Sequence, residues 1–301
     1  MNPLHAARRA SFPFRSPTVP QGVEPPPESH PLGADYRTDW ARTPVARVAR
    51  GAIVEGVMRP LAQVLGSPTI EGLDRVQGID GPVVFVANHH SHADTPLLLT
   101  SLPERWRHKV VVGAAADYFF ATKVSSALSA FVIGAIPIER TKVGRKSADL
   151  ARSLIDEGWS LLIFPEGGRS PDGWGQPFRG GAAYIAQRCG VPVVPIHIEG
   201  SGRILRKGKS RPSRTSVTIT FGGPLRSQER EDARKFAARI EREVAVLGDE
   251  AATDWWQERR RAHAGDTPSM TGPGVGAWRR AWELSAKDKK VRRAKRRWPA
   301  I

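Results

Sequence analysis

The chain has 301 residues, 25% of them charged, with 46 Lys and Arg against 30 Asp and Glu and a formal net charge of +16. That length accommodates one sizeable core with extensions, and the charge points to anionic partners: phosphate-bearing ligands, acidic membrane surfaces or nucleic acid. The single cysteine, Cys189, excludes an internal disulfide framework and fits a reducing compartment.

Residues 1–40 are rich in Pro, Arg and Ser without a hydrophobic period, which predicts a disordered leader. No apolar run follows Arg8 and Arg9, so no export signal peptide is expected. Over 41–66, Val45, Val48, Ile53, Val54, Val57, Leu61, Val64 and Leu65 recur mostly at three- and four-residue steps among Arg47, Arg50 and Arg59. The pattern predicts an amphipathic helix, either packed on its own domain or lying on a membrane surface. The most apolar segment, residues 125–138, is shorter than the roughly 20 apolar residues that a transmembrane helix needs. Membrane contact is therefore expected to be peripheral.

The stretch 67–250 reads as the catalytic domain. Within it VVFVAN, KVVVGA, GAIPIE, SLLIFP, VPVVPIHIE and SVTITF are predicted strands, alternating with helical patterns near 94–101, 117–131, 145–157 and 179–189. Such alternation predicts an α/β fold with a largely parallel central sheet flanked by helices, and with N- and C-terminal helical or disordered extensions. A polar helix near 228–247 leads into a basic tail over 251–301, where 13 Lys and Arg face 5 Asp and Glu and five tryptophans are interspersed: Trp255, Trp256, Trp278, Trp282 and Trp298. Indole and guanidinium together suit an anionic bilayer surface. No recognised nucleic-acid module accompanies the charge, so nucleic acid is not the expected partner.

Directly behind the first strand stands Asn88-His89-His90-Ser91-His92-Ala93-Asp94. Three readings of it are open. Ser91 and Asp94 can form the capping box of the next helix, leaving the histidines as loop surface. His90, His92 and Asp94 fit the H-x-H-x-D part of a metallo-β-lactamase site, which would make the protein a metal-dependent hydrolase. Alternatively Asp94 folds back on His89, fixing its tautomer and leaving the other ring nitrogen to take a proton from a hydroxyl; a cap by Ser91 is compatible with this.

The block N-H-x-S-x-x-D resembles the first motif of the PlsC-like glycerolipid acyltransferases. Three further blocks follow in the order of that family: GAIPIER at 134–140, FPEGGRS at 164–170 and VPVVPIHIEG at 191–200. The resemblance implies transfer of a fatty acyl group from acyl-CoA or acyl-carrier protein to the sn-2 hydroxyl of 1-acylglycerol 3-phosphate, or to a hydroxyl of another lysophospholipid or lipid-like acceptor. It implies His89 and Asp94 as the catalytic pair, and Arg140, Glu166, Gly167, Arg169, Asn88 and Ser91 as substrate-binding residues, with Glu166 on the acceptor's glycerol hydroxyl and Arg169 on its phosphate. No metal or redox cofactor is expected, and the expected location is cytoplasmic, peripheral on the inner face of the cell membrane. Two departures stand out: Gly168 replaces the family's usual threonine, and Asp117-Tyr118-Phe119 stands where a lysine and a glutamate-leucine pair are common.

Overall fold

The computed structural model describes residues 33–139, 145–170, 173–205, 211–272 and 282. Strands β1 (Thr69–Glu71), β2 (Val84–Ala87), β3 (Val110–Ala115), β4 (Ala135–Ile138), β5 (Ser160–Ile163), β6 (Val193–Glu199) and β7 (Thr218–Phe221) form one sheet in the order β1-β7-β6-β2-β5-β3-β4. All neighbours run parallel except β6 and β7. All six predicted strands are present. The seventh, β1, escaped the sequence reading because its three residues form a fully exposed edge without an apolar run.

The central strands are buried on both faces, which is why they read as continuous apolar runs. In β2, Phe85 and Ala87 face one core, while Val84 and Val86 face the other. Helix α3 (Asp94–Ser101), the residue after it and the short α4 (Glu104–Arg107) cover the first core with Leu97, Leu98, Leu99, Leu102 and Trp106. Helices α7 (Arg145–Asp156), α8 (Gly181–Cys189) and α9 (Ala233–Ala252) cover the second, placing Leu154, Ile185 and Phe236 against Leu161 and Ile163. Each such side chain withdrawn from water stabilises the fold by about 1.5–3 kcal/mol.

The helix expected over 117–131 is divided into α5 (Ala116–Phe119) and α6 (Lys123–Val132). Thr122 starts the second piece: its Oγ1 accepts from the Ser125 N–H and its own N–H donates to Ser125 Oγ, each at 3.2 Å. Similarly, the helix expected from 228 begins at Ala233, because the Asp232 carboxylate accepts the N–H groups of Arg234 and Lys235.

The predicted N-terminal helix comprises α1 (Pro44–Ile53), a π-helical turn over Val54–Met58 and α2 (Arg59–Gly66). The irregular turn precedes Pro60, which has no N–H to give the preceding turn. The stripe it buries is Ala46, Arg50, Val54, Met58 and Ala62, at four-residue steps, whereas Val45 and Val48 are 81% and 75% exposed. Most of the apolar periodicity therefore faces outward, and a stripe that mixes two alanines with Arg50, Val54 and Met58 faces the domain. Buried Arg50 donates to the Ala41 carbonyl at 3.1 Å and lies over the Trp159 ring. Burial first, then the charges of Arg47 and Arg42, lower its pKa to about 10.

The leader expected to reach residue 40 is structured from Gly33 onward: Ala41 is buried and the Tyr36 ring packs 5.7 Å from that of Phe120. In the tail, α10 (Trp255–Ala264) is capped by Asp254, and the following segment returns to the body, where Met270 O accepts the Gly175 N–H at 2.9 Å. Trp278 and Trp298 lie outside the described residues; Trp255, Trp256 and Trp282 are exposed.

Candidate active site

The second strand carries the site to the sheet's carboxyl edge. Asn88 continues β2 with its side chain: the amide donates to the Ile198 carbonyl at 2.9 Å, and its oxygen accepts the Ile198 N–H at 2.7 Å. This clamp to β6 ends the strand and turns the chain outward at His89.

Asp94, at the first turn of α3, points back across that turn. Its Oδ2 lies 2.9 Å from His89 Nδ1 and accepts the N–H groups of His90 at 2.7 Å and Ser91 at 2.8 Å. The carboxyl is fully buried, which by itself raises its pKa. The hydrogen bond and charge of His89, together with the Ser91 N–H, outweigh burial and hold it below the usual carboxylate value. An ionised Asp94 selects the His89 tautomer with hydrogen on Nδ1 and leaves Nε2 as the acceptor. The imidazole is further fixed by stacking on Phe164, with centroids 4.3 Å apart.

The FPEGGRS loop after β5 grips the same backbone from the other side. Glu166 Oε1 accepts the His89 N–H at 2.8 Å and Oε2 accepts the Gln176 N–H at 2.9 Å, while the Ser170 N–H donates to the His89 carbonyl at 3.0 Å. Burial raises the Glu166 pKa to about 7 against these two hydrogen bonds, with Asp94 and Glu241 adding to the rise.

His89 forms part of the wall of a cavity of about 1380 Å³. One arm is apolar, bounded by Val112, Gly113, Leu128, Val132, Ile133 and Ile138. Gly113 lets β3 approach closely: a Cβ there would sit 2.6 Å from Ile138 Cδ1. The opposite end is lined by Gly167, Gly168, Arg169, Arg179, Tyr184 and Arg234. Gly167 has φ of 72°, a left-handed conformation that glycine adopts without strain, and the Arg179 guanidinium lies over it.

Of the residues singled out from the sequence, His89, Gly167 and Arg169 line the cavity and Asp94 backs His89. Asn88, Ser91 and Glu166 do not line it. All three are buried and direct their polar atoms to protein groups, so in this structure they shape the site from behind the cavity wall. Nor does Ser91 cap α3: its Oγ accepts the Ala93 N–H at 3.2 Å, tightening the turn one residue before the helix. Arg140 lies outside the described residues.

The metal reading finds no support in this geometry. Asp94 is turned onto His89, and the His92 ring stacks on Tyr118 with centroids 6.2 Å apart. Among the described residues no group of three His, Cys, Asp or Glu is placed to hold a metal. The sequence reading missed His92, Arg179, Tyr184 and Arg234 as cavity residues. Arg179 and Arg234 could have been flagged as cations at the starts of successive helices, but nothing in the sequence says that those starts meet.

Comparison with known proteins places this geometry in context. Residues 67–199 match the family model Acyltransferase. The chain is 37% identical over 141 residues to the chloroplastic 1-acyl-sn-glycerol-3-phosphate acyltransferase BAT2 of Brassica napus, covering 46% of this chain and 39% of the relative. It is 28% identical over 178 residues to the bovine (Bos taurus) 1-acyl-sn-glycerol-3-phosphate acyltransferase alpha, covering 58% and 60%. The match thus spans about two fifths to three fifths of these relatives' length. Among solved structures, the 1-acyl-sn-glycerophosphate acyltransferase PlsC of Thermotoga maritima superposes with a TM-score of 0.56 at 21% identity, covering 74% of this chain and 88% of that one, a likeness of fold.

Proposed function

We propose, on the premise that residues 67–199 are an acyltransferase domain of the PlsC-like glycerolipid family, that the protein is an O-acyltransferase that esterifies a lysophospholipid hydroxyl. In the finer reading, the donor is a fatty acyl thioester of CoA or of a carrier protein, and the acceptor hydroxyl is the sn-2 position of 1-acylglycerol 3-phosphate. The observation that carries it is the 2.9 Å His89–Asp94 pair opening onto a cavity with one apolar arm and one cationic end. The relatives' names, 1-acyl-sn-glycerol-3-phosphate acyltransferases, support the acceptor class.

The chemistry follows from the atoms present. His89 Nε2 takes the proton of the acceptor hydroxyl as its oxygen attacks the thioester carbonyl, and buried Asp94 stabilises the imidazolium that forms. Collapse of the tetrahedral intermediate breaks the C–S bond, and the imidazolium returns the proton to the departing thiolate. No covalent enzyme intermediate, metal or redox cofactor is needed. In this reading the acyl chain occupies the apolar arm and Arg169 takes the acceptor phosphate, supported by its position on the cavity wall and by the hydrogen bond of its neighbour Ser170 to His89.

We also propose peripheral docking on an anionic membrane. Val45, Val48, Val57, Leu61 and Val64 on α1, the π-helical turn and α2, and Val124 and Leu128 on α6, are exposed apolar side chains, and Leu128 also borders the cavity. No helix among the described residues is long and apolar enough to cross a bilayer. The functional test is acyl transfer from labelled oleoyl-CoA to a panel of lysophospholipids differing in headgroup. Preferential labelling of lysophosphatidate supports the proposed acceptor. A preference for another headgroup moves the acceptor assignment, and labelling of none with either CoA or carrier-protein donors refutes the reading.

A further inference from the structure

The cationic end of the cavity holds more positive charge than one acceptor phosphate requires. From His89 outward, a chain of contacts orders its arginines. Ser170 N–H bonds the His89 carbonyl at 3.0 Å, which puts Arg169 beside the pair, and its charge lowers the pKa of neighbouring His92 after burial does so. One step further, the Arg179 N–H bonds the Pro165 carbonyl at 3.0 Å and its guanidinium covers Gly167. At the far lip the start of α8 meets the start of α9: a Cβ on Gly180 would lie 3.7 Å from the Ala233 carbonyl oxygen, which brings Arg234 alongside Arg179. Tyr184, whose hydroxyl accepts from Arg188 at 3.1 Å, also lines the cavity. Asp232, two residues before Arg234, caps α9 by accepting the N–H groups of Arg234 and Lys235.

The two substrates of the proposed reaction carry phosphate at different distances from the reacting atoms. In the acceptor, phosphorus is four bonds from the attacking sn-2 oxygen. In the donor, the whole pantetheine arm separates the thioester from its phosphate. A phosphate near His89 therefore belongs to the acceptor, and one held at the far lip belongs to the donor.

Building on the acyltransferase reading, we propose that Arg179 and Arg234 form a second phosphate site, which binds the phosphate group or groups of the acyl donor's phosphopantetheine moiety and is separate from the acceptor site at Arg169. Guanidinium pairs suit this task because each presents a planar set of N–H donors matched to phosphate oxygens. The ligand chemistry is common to CoA and to a carrier protein, which share the pantetheine phosphate.

The test is steady-state kinetics of the full chain and of Arg179→Gln, Arg234→Gln and the double variant, with three donors: oleoyl-CoA, oleoyl-carrier protein and oleoyl-pantetheine, the last with the same thioester and no phosphate. Both arginines are exposed, so unchanged thermal unfolding is expected and is checked alongside. The KM for oleoyl-CoA should rise about tenfold in each single variant, with the KM for oleoyl-pantetheine and for the acceptor unmoved. An equal rise with carrier protein identifies the pantetheine phosphate as the ligand; a rise with CoA alone would place the adenosine phosphates there instead and overturn the proposal. Equal effects on phosphate-bearing and phosphate-free donors, or a shift in the acceptor KM, overturn the proposal. Absence of transfer by the unaltered protein from every donor is a different failure, that of the acyltransferase reading itself.

Discussion

Asp94 concentrates three hydrogen bonds on one oxygen, and two of them come from the backbone of the turn that it closes. It therefore sets both the shape of the turn and the charge behind His89. Asp94→Asn separates the two roles, since an amide oxygen can still accept the backbone bonds but brings no negative charge. The expected outcome is a folded protein with kcat lowered about 10²–10⁴ fold; near-normal turnover would remove Asp94 from the mechanism. Glu166 is the second carboxylate of the site, and its oxygens are directed at the N–H groups of His89 and Gln176 instead of at the cavity. Glu166→Gln would set an NH₂ donor against one of those N–H groups and shift His89. We expect kcat to fall about tenfold to a hundredfold with little change in acceptor KM; a rise in KM alone would instead restore Glu166 as an acceptor ligand. Its raised pKa has a sign that can be checked. Because the folded protein holds this proton up to about 7, and the ordinary value is 4.5, stability due to Glu166 is fully present below about 4.5 and is lost as pH rises toward 7. The difference in unfolding temperature between the wild type and Glu166→Gln should therefore move against the wild type over that window. The spacing of His89 and Asp94 made the pair legible from the sequence. The roles of Asn88, Ser91 and Glu166 were not, because residue type does not reveal whether a side chain's polar atoms face a cavity or the backbone beside it.

The strands and their helices were legible because burial on both faces leaves an apolar run that needs no partner to be noticed. The N-terminal helix shows where such reading stops. Its valines have helical spacing, yet Ala46, Arg50 and Ala62, which carry little or no apolar signal, face the domain, and tertiary fit decides which stripe is buried. The edge strand β1 was invisible for the opposite reason, being short and exposed throughout. On β3 the absent side chain of Gly113 sets the width of the apolar arm. In Gly113→Val the new side chain meets Ile138 and Ile163 and drives Ile138 toward the cavity. The expected result is a shift in preference toward shorter chains across a series from lauroyl- to oleoyl-CoA; an unchanged profile would separate this arm from the acyl chain.

Across the whole molecule, apolar exposure and positive charge serve one proposed task, bringing the cavity to a lipid surface. Half of the formal charge lies from residue 251 onward, and α10 carries exposed Trp255 and Trp256 near Arg259 and Arg260. Converting Val45, Val48 and Val57 together to serine should weaken binding to anionic vesicles by about tenfold or more, while transfer to a short-chain, freely soluble acceptor persists. Equal loss of both would point to damage to the fold instead of to docking. Beneath these features lies the claim that His89 takes the acceptor's proton. The most direct measurement is the rate of phosphatidate formation from oleoyl-CoA and lysophosphatidate by the wild type and by His89→Ala at equal concentration, with unfolding temperatures recorded alongside. The account predicts measurable product from the wild type and a rate about 10²–10⁴ fold lower in a still-folded His89→Ala; product formed by that variant at the wild-type rate would contradict it.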